Sequence, residues 1–321
     1  MDEILFLYTK SYPFGYGESF LENELEILSE KYSKIYILPL NTTESHQREL
    51  PKNIELISLN RSNYKGFKVL LRSFLLFLSI YLFECFKSKN RRGYIVDFSS
   101  YRSQLIQCIH LSELLQKEII RLNASNLLHY SYWTEEWATA LSILKRKQKI
   151  NYLISRVHGY DLYSERRSNN IIPFRNFQLN HINKIVAVSD YGFQYLHLNY
   201  ENHQSKFLTS KLGVKDNGVG VFHIDETFTI VSCSNVIPLK RVEMIVDALN
   251  QLEFSVHWIH IGSGSGMDAL KNKTKSLPQN ISVEFKGQLS NSEVIKVYKN
   301  QHVNAFLHLS ESEGGVPVSI Q

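Results

Sequence analysis

The sequence predicts an α/β protein built of two Rossmann-like domains whose parallel sheets face a cleft. Three observations carry this. Short apolar β-type runs alternate with helical patterns along most of the chain, the signature of parallel sheets covered by helices on both faces. The alternation breaks once, at 216–226 (DNGVGVFHIDE), a stretch of glycines and acids, and then restarts. The 321 residues, 43% of them hydrophobic, provide enough apolar material for two ordinary cores. The expected domains are therefore 1–215 and 227–321, joined by a linker at 216–226.

In the first half, 4–9 reads as a strand, 10–17 (KSYPFGYG) as a turn-rich loop, and Ser19 with Glu22 as a capping box. Leu21, Leu25, Leu28 and Tyr32 form one helical stripe. Strands follow at 34–40 and 54–59, then helices at 68–86 and 103–122. Next come a strand at 126–130, a helix at 135–145, strands at 151–156 and 184–188, and a helix at 189–198. Beyond the linker, strands are expected at 227–233, 254–261, 281–286 and 304–309. Helices alternate with them at 242–252, 267–275 and from Ser290, which with Glu293 forms a second capping box, to about 300.

Composition excludes several classes. Eighteen Tyr and eighteen Phe, with only 21% charged residues, are incompatible with a mainly disordered chain. Cys85, Cys108 and Cys233 are too few and too scattered for a disulfide scaffold, and no C-x-x-C occurs. They read as reduced thiols of a cytoplasmic protein. Asp2 and Glu3 stand where a secretory signal would be basic. A net charge of +5 is mild for nucleic-acid binding and suits anionic small ligands or an anionic membrane surface.

Residues 69–86 (VLLRSFLLFLSIYLFECF) are strongly apolar, and Lys87, Lys89, Arg91 and Arg92 follow. Arg72 and Glu84 interrupt the run, which falls short of the roughly 20 apolar residues of a membrane span. A buried helix and an interfacial helix resting on lipid both fit, so peripheral membrane contact through 69–92 is expected.

Ligands of such sheets bind beyond the carboxyl ends of the strands. That rule selects the loops after Thr9, Arg156, Cys233, Ile261 and Leu309. Gly15, Gly17 and Glu18 lie in the first; Phe20 stands where the dinucleotide fingerprint needs its third glycine. Gly262 and Gly264 lie in another glycine loop, and both loops read equally as tight turns or phosphate cradles. His158, with Gly159, Tyr160 and Asp161, is either a satisfied structural histidine or a site residue. Lys240 and Arg241 fall at a helix start, where cations oppose the macrodipole unless an anion binds; a solvated basic turn is the alternative. Glu311 and Glu313, before Gly314, Gly315 and Val316, form either an acidic helix cap or a site for sugar hydroxyls and phosphate. No Asp-x-Asp, Gly-x-Ser-x-Gly, His-Glu-x-x-His or P-loop occurs.

Taken in order, these segments resemble the retaining glycosyltransferases of family 4, which have the two-domain GT-B fold. The matching stretches are SRVHGYDLY at 155–163, VAVSDYG at 186–192, SKLGV at 210–214, IVSCSNVIPLKRVEMIVDAL at 230–249, WIHIGSGSGMDAL at 258–270, FKGQLSNSEV at 285–294 and LSESEGGVPVSI at 309–320. The resemblance covers the second half well and is thin before residue 126.

It implies an enzyme that moves a sugar from a UDP- or GDP-sugar to a glycan or lipid-linked acceptor, without a metal. Such an enzyme would build surface polysaccharide at the inner face of the cytoplasmic membrane. By the resemblance, Lys240 neutralises the donor diphosphate, with the N-terminus of a helix after Gly315. Glu313 contacts the donor sugar, and His158 lies at the reacting centre. Asn235, Arg241, Gly262, Gly264, Glu311, Gly314, Gly315 and Val316 surround the donor; Gly15 and Gly17 admit donor and acceptor, with Glu18 and Asp161 on the acceptor side.

Two departures stand out. Asn235 replaces an arginine that the family places five residues before the lysine, and the family's second glutamate, eight positions after Glu313, falls on Gln321. The family also continues with further strands and a helix, so the second domain is expected to be truncated. A nucleotide-sugar-binding module without turnover and a sugar-nucleotide epimerase of the same fold are the rival readings.

Overall fold

The structure is a computed structural model that describes every residue except 1, 2, 16, 44–46, 62–64, 124–126, 168, 222–226, 314, 316, 318 and 321. The chain divides into two compact units, Met1–Leu212 and Gly213–Gln321.

The first unit opens with β1 (Ile4–Thr9), α1 (Leu21–Lys31), β2 (Lys34–Pro39) and β3 (Ile54–Leu56). A helical block follows: α2 (Gly66–Arg72), α3 (Phe74–Lys87), α4 (Arg91–Val96) and α5 (Phe98–Leu122). Alternation resumes with β4 (Leu127–Ser131), α6 (Glu136–Arg146), β5 (Leu153–Val157), α7 (Arg175–His181), β6 (Lys184–Ala187), α8 (Asp190–Asn199) and β7 (Phe207–Thr209). The seven strands form one parallel sheet in the order β3-β2-β1-β4-β5-β6-β7.

Strand side chains alternate between faces, and β1 shows why its run is apolar throughout. Leu5 and Leu7 pack against Leu21 and Leu25 of α1, while Phe6 and Tyr8 pack against Trp137, Ala138 and Leu141 of α6. The Tyr8 hydroxyl is paired with His129 Nδ1 at 2.8 Å, which satisfies two buried polar groups in that layer.

Several expectations are corrected. The capping box at Ser19 and Glu22 does not form: α1 begins at Leu21 behind Phe20, with no side-chain cap, because Glu18 turns the chain in the left-handed region (φ 56°) and its carboxylate is used elsewhere. The helix expected at 68–86 is two helices, α2 and α3, bent 89° at Ser73. The bend lets both elements reach one core, where Val69, Phe77, Ile80 and Tyr81 pack with Leu105, Ile109 and Phe177. Elements α4, α7 and β7 are short and lack a strong period, and none was expected from the sequence. Glu84 is fully buried on α3 and accepts hydrogen bonds from the Phe177 backbone N–H and Asn176 Nδ2 in the first turn of α7. Burial pushes its carboxyl up to about 7 against those hydrogen bonds.

The second unit carries β8 (Phe228–Cys233), α9 (Glu243–Leu249), β9 (Val256–Ile261), α10 (Met267–Thr274), β10 (Ile281–Gly287), α11 (Asn291–Asn300) and β11 (Ala305–Phe306). Its sheet is parallel, in the order β10-β9-β8-β11. Ser290 and Glu293 do form a capping box on α11. Trp258 is fully buried, and its indole N–H donates to Ser232 Oγ at 2.9 Å. All three cysteines are free thiols.

Candidate functional site

In the first unit the site residues gather at the carboxyl ends of β1, β4 and β5. The loop after β1 is closed by one side chain. The Glu18 carboxylate accepts hydrogen bonds from the backbone N–H groups of Lys10 (3.1 Å), Ser11 (2.7 Å) and Tyr12 (2.7 Å) and from the Trp133 indole N–H (2.6 Å). Glu18, expected on the acceptor side, is 7% exposed, and its oxygens hold the loop shut. Gly15 sits in the same loop with φ 68°, a conformation that favours glycine. Gly17 is exposed, and a Cβ there would meet nothing within 4 Å.

His158 follows β5 and is 7% exposed. Its ring lies 4.2 Å from the Trp133 ring, 5.2 Å from Tyr132 and 5.6 Å from Phe20, centroid to centroid. Neither imidazole nitrogen has a hydrogen-bond partner among the described residues. Burial, with the nearby Arg156 charge, pushes the imidazole down to about 3, so it is neutral at every ordinary pH. A buried polar group without a partner is costly to the fold.

Asp161, expected on the acceptor side as well, lies in the same layer. It is fully buried, and its carboxylate accepts from the backbone N–H groups of His158 (2.6 Å) and Thr134 (2.7 Å). Arg175 of α7 donates to the Asp161 carbonyl. Burial pushes the Asp161 carboxyl up to about 6 despite these bonds. It shapes the His158 loop from a fully buried position.

The sequence reading missed Trp133 and Glu135. Both lie just after β4, whose loop is not among those the strand-end rule selected. Trp133 joins Glu18 to His158, while Glu135 pairs with Lys10 Nζ (3.1 Å) and Arg167 Nη2 (2.5 Å).

In the second unit three loops meet. The loop after β8 passes through a 3₁₀ turn at Pro238–Lys240, then Arg241 in the left-handed region (φ 48°), before α9 starts. Lys240 and Arg241 thus precede α9 and do not open it, as Pro238 closes its own short turn first. Lys240 Nζ lies 2.5 Å from Glu313 Oε1, and His308 Nε2 lies 2.7 Å from the same oxygen. Burial alone would push the Glu313 carboxyl up, but hydrogen bonds involving Lys240, Ser310 and His308 hold it below the usual range. His308 was missed; it sits two residues before Ser310, whose Oγ is 2.9 Å from its Nε2.

Arg241 does not stand in for the missing arginine by its Nε, which donates to the Leu309 carbonyl at 2.8 Å and ties two loops together. Asn235 and Glu311 are exposed, and Gly315 is half-buried. Gly314 and Val316 lie outside the described residues, as does Gln321. The helix expected after Gly315 is not formed among the described residues. One turn closes there, Ile320 N–H to Pro317 O at 3.0 Å.

Gly262 (φ 136°) and Gly264 (φ 156°) are fixed by backbone contact. A Cβ on Gly262 would lie 2.0 Å from the Ser234 carbonyl oxygen, and one on Gly264 2.5 Å from that of Val236. Their loop is laced to the Lys240 loop by Val236 N–H to Ser263 O (2.9 Å) and Gly266 N–H to Val236 O (3.0 Å). These glycines position the residues that lead to Lys240.

No protein-family model matches the chain, and no curated protein sequence matches it. Solved structures do. The lipopolysaccharide outer core galactosyltransferase WaaB, in its apo form, superposes with a TM-score of 0.60 at 13% identity, over 98% of this chain and 76% of its own. Anabaena HepE, in complex with UDP and glucose, gives 0.61 at 14% identity, over 97% and 75%. TarM gives 0.62 at 10% identity, over 98% and 81%. These likenesses establish the fold: two Rossmann-like units of the GT-B glycosyltransferase architecture.

Proposed function

We propose that this chain is a glycosyltransferase that moves a sugar from a nucleotide sugar to a glycan or lipid-linked acceptor. The observation that carries the reading is the meeting of Lys240 and Glu313 at the carboxyl edge of the second sheet. On this reading the Lys240 ammonium leaves Glu313 for the donor diphosphate and offsets the charge that develops on the leaving group. Glu313, released, accepts hydrogen bonds from the donor sugar's hydroxyls. His158 is held neutral, so its free nitrogens exchange hydrogen bonds with a bound sugar without adding charge.

The finer parts of the proposal follow from the motif resemblance. They are retention of configuration, family 4 membership, a UDP- or GDP-sugar donor, phosphate binding by side chains and amides without a metal, and a role in surface polysaccharide synthesis on the cytoplasmic side. HepE, of the same fold, was solved with UDP and glucose, which supports a nucleotide-sugar donor here. Binding without turnover is the second reading. Exposed Asn235 in place of an arginine, and Arg241 Nε held by Leu309, favour it.

The test is thermal unfolding of the chain against UDP-, GDP- and ADP-sugars. A ligand at ~100 times its Kd adds roughly 2.7 kcal/mol, a rise of about 4 °C for a chain of this size. One nucleotide class should raise the midpoint, and Lys240→Ala should abolish the rise. Product analysis with the responding donor then separates the readings: transfer requires acceptor, an epimerase isomerises donor alone, and a binding module does neither. No shift with any nucleotide sugar would sink the proposal.

A further inference from the structure

The helical block of the first unit has an apolar face that the core does not use. On α3, Phe77, Ile80, Tyr81 and Glu84 point inward and are buried. Leu75, Leu78, Leu82 and Phe86, spaced by three and four residues, form a second stripe and are 36–79% exposed. Phe67 and Leu71 on α2 and Ile95 and Val96 on α4, in the same helical block, are each 64–73% exposed. Among the described residues, ten of the twenty-four large exposed apolar side chains fall within 67–98, a tenth of the chain. Scattered exposed apolar residues need no account, but a concentration of this kind marks a contact surface.

Charge says what the surface meets. Residues 65–102 hold eight Lys and Arg against two acids, an excess of +6 in a chain whose net charge is +5. Of the acids, Glu84 is buried on the opposite side of α3 and Asp97 is half-buried. Lys68, Lys87, Lys89, Arg91 and Arg92 are exposed and make no ion pair among the described residues. A second copy of the chain would bring this same excess against itself. An anionic bilayer offers acyl chains to the leucines and phenylalanines and phosphates to the cations.

We infer that α2, α3 and α4 form a docking surface for an anionic lipid bilayer, lying in the interface and not across it. No single helix among the described residues is long and apolar enough to span. The one helix pair that passes by length and composition is bent 89° and has its inner face in a protein core. The inference stands on these residues alone and does not depend on the glycosyltransferase reading.

The experiment is co-sedimentation of the whole chain with vesicles of phosphatidylcholine alone and with about one third phosphatidylglycerol, at low and high salt. Strong binding is expected only to the anionic vesicles, weakened by salt. Replacing Lys87, Lys89, Arg91 and Arg92 by Gln should lower the partition coefficient by about a hundredfold or more, since each cation near such a surface contributes substantially. Phe67→Ser with Leu75→Ser and Phe86→Ser should abolish binding; all three sites are exposed, so unfolding midpoints should stay near the parent's.

Four results would overturn the inference. One is no binding to anionic vesicles at low salt. A second is equal binding to neutral vesicles that the Gln variant does not change. A third is retention on the membrane in alkaline carbonate. The last is a dimer by sedimentation equilibrium that the Ser variant dissociates.

Discussion

Lys240 Nζ lies 2.5 Å from Glu313 Oε1, although 73 residues separate them in the chain. Their side chains are 19% and 27% exposed, so solvent screens the pair and its contribution to the folded state is small, about 1 kcal/mol or less. Lys240→Ala should therefore cost the free protein about 1 kcal/mol at most, while removing all stabilisation by a nucleotide sugar. Urea unfolding with and without the responding donor checks this. A large loss in the free protein, with the donor effect intact, would make the pair a purely structural one.

Glu18 gives a prediction of the opposite sign. Four N–H groups converge on its carboxylate, three from Lys10, Ser11 and Tyr12 and one from Trp133. Hydrogen bonds to a charged acceptor contribute about 1.5–3 kcal/mol each at best, and they do not add fully. Glu18→Ala should destabilise the first unit by about 3 kcal/mol. Amide exchange at Ser11 and Tyr12 should rise well above that at the centre of β1. Unchanged protection at those amides would show that the loop is held by other means.

The strands other than β7, and the second capping box, were legible because each is decided by a few neighbouring residues. The Ser290 and Glu293 box forms as the spacing requires, yet the identical spacing at Ser19 and Glu22 fails. The difference is tertiary: Glu18 is drawn to Trp133, 115 residues away, and the turn it imposes displaces the helix start. Motif spacing located Lys240 and Glu313 but could not say that Arg241 would turn back onto Leu309. Trp133 and His308 escaped because they match no local pattern; only the topology, with β4 beside β1 in the first unit and β11 beside β8 in the second, sets Trp133 against Glu18 and His308 against Glu313.

His158 allows a test by pH. Its folded pKa of about 3 lies below the ordinary 6.5, so the unfolded chain takes up a proton that the folded chain refuses. The sign follows: folding stability falls as pH drops from 6.5 towards 3. By pH 4.5 this one group should cost about 2–3 kcal/mol relative to pH 7.5. His129 (about 3) and His260 (about 4) add losses of the same sign. His158→Leu removes only the His158 share, so the variant should gain on the parent by that amount between pH 7.5 and 4.5, while losing turnover. Parallel stability curves for variant and parent would mean that the imidazole is protonated in the folded state.

Two glycines separate a structural requirement from a functional one. Gly264→Ala places a Cβ 2.5 Å from the Val236 carbonyl oxygen and 2.8 Å from its nitrogen, at φ 156°. Both opposing atoms are backbone, so the loop must shift, and the second unit should lose about 2–4 kcal/mol. Gly17→Ala meets nothing within 4 Å and lies outside the left-handed region, so its stability should change by no more than about 0.5 kcal/mol. Any loss of activity there would have to come from the ligand side: a methyl group where a donor or acceptor approaches the backbone. The measurement is kcat/KM for transfer beside the unfolding midpoint. A drop of tenfold or more for Gly17→Ala at an unchanged midpoint puts the substrate against that loop. Full activity removes Gly17 from the site and leaves the loop after β1 as the scaffold that Glu18 makes it.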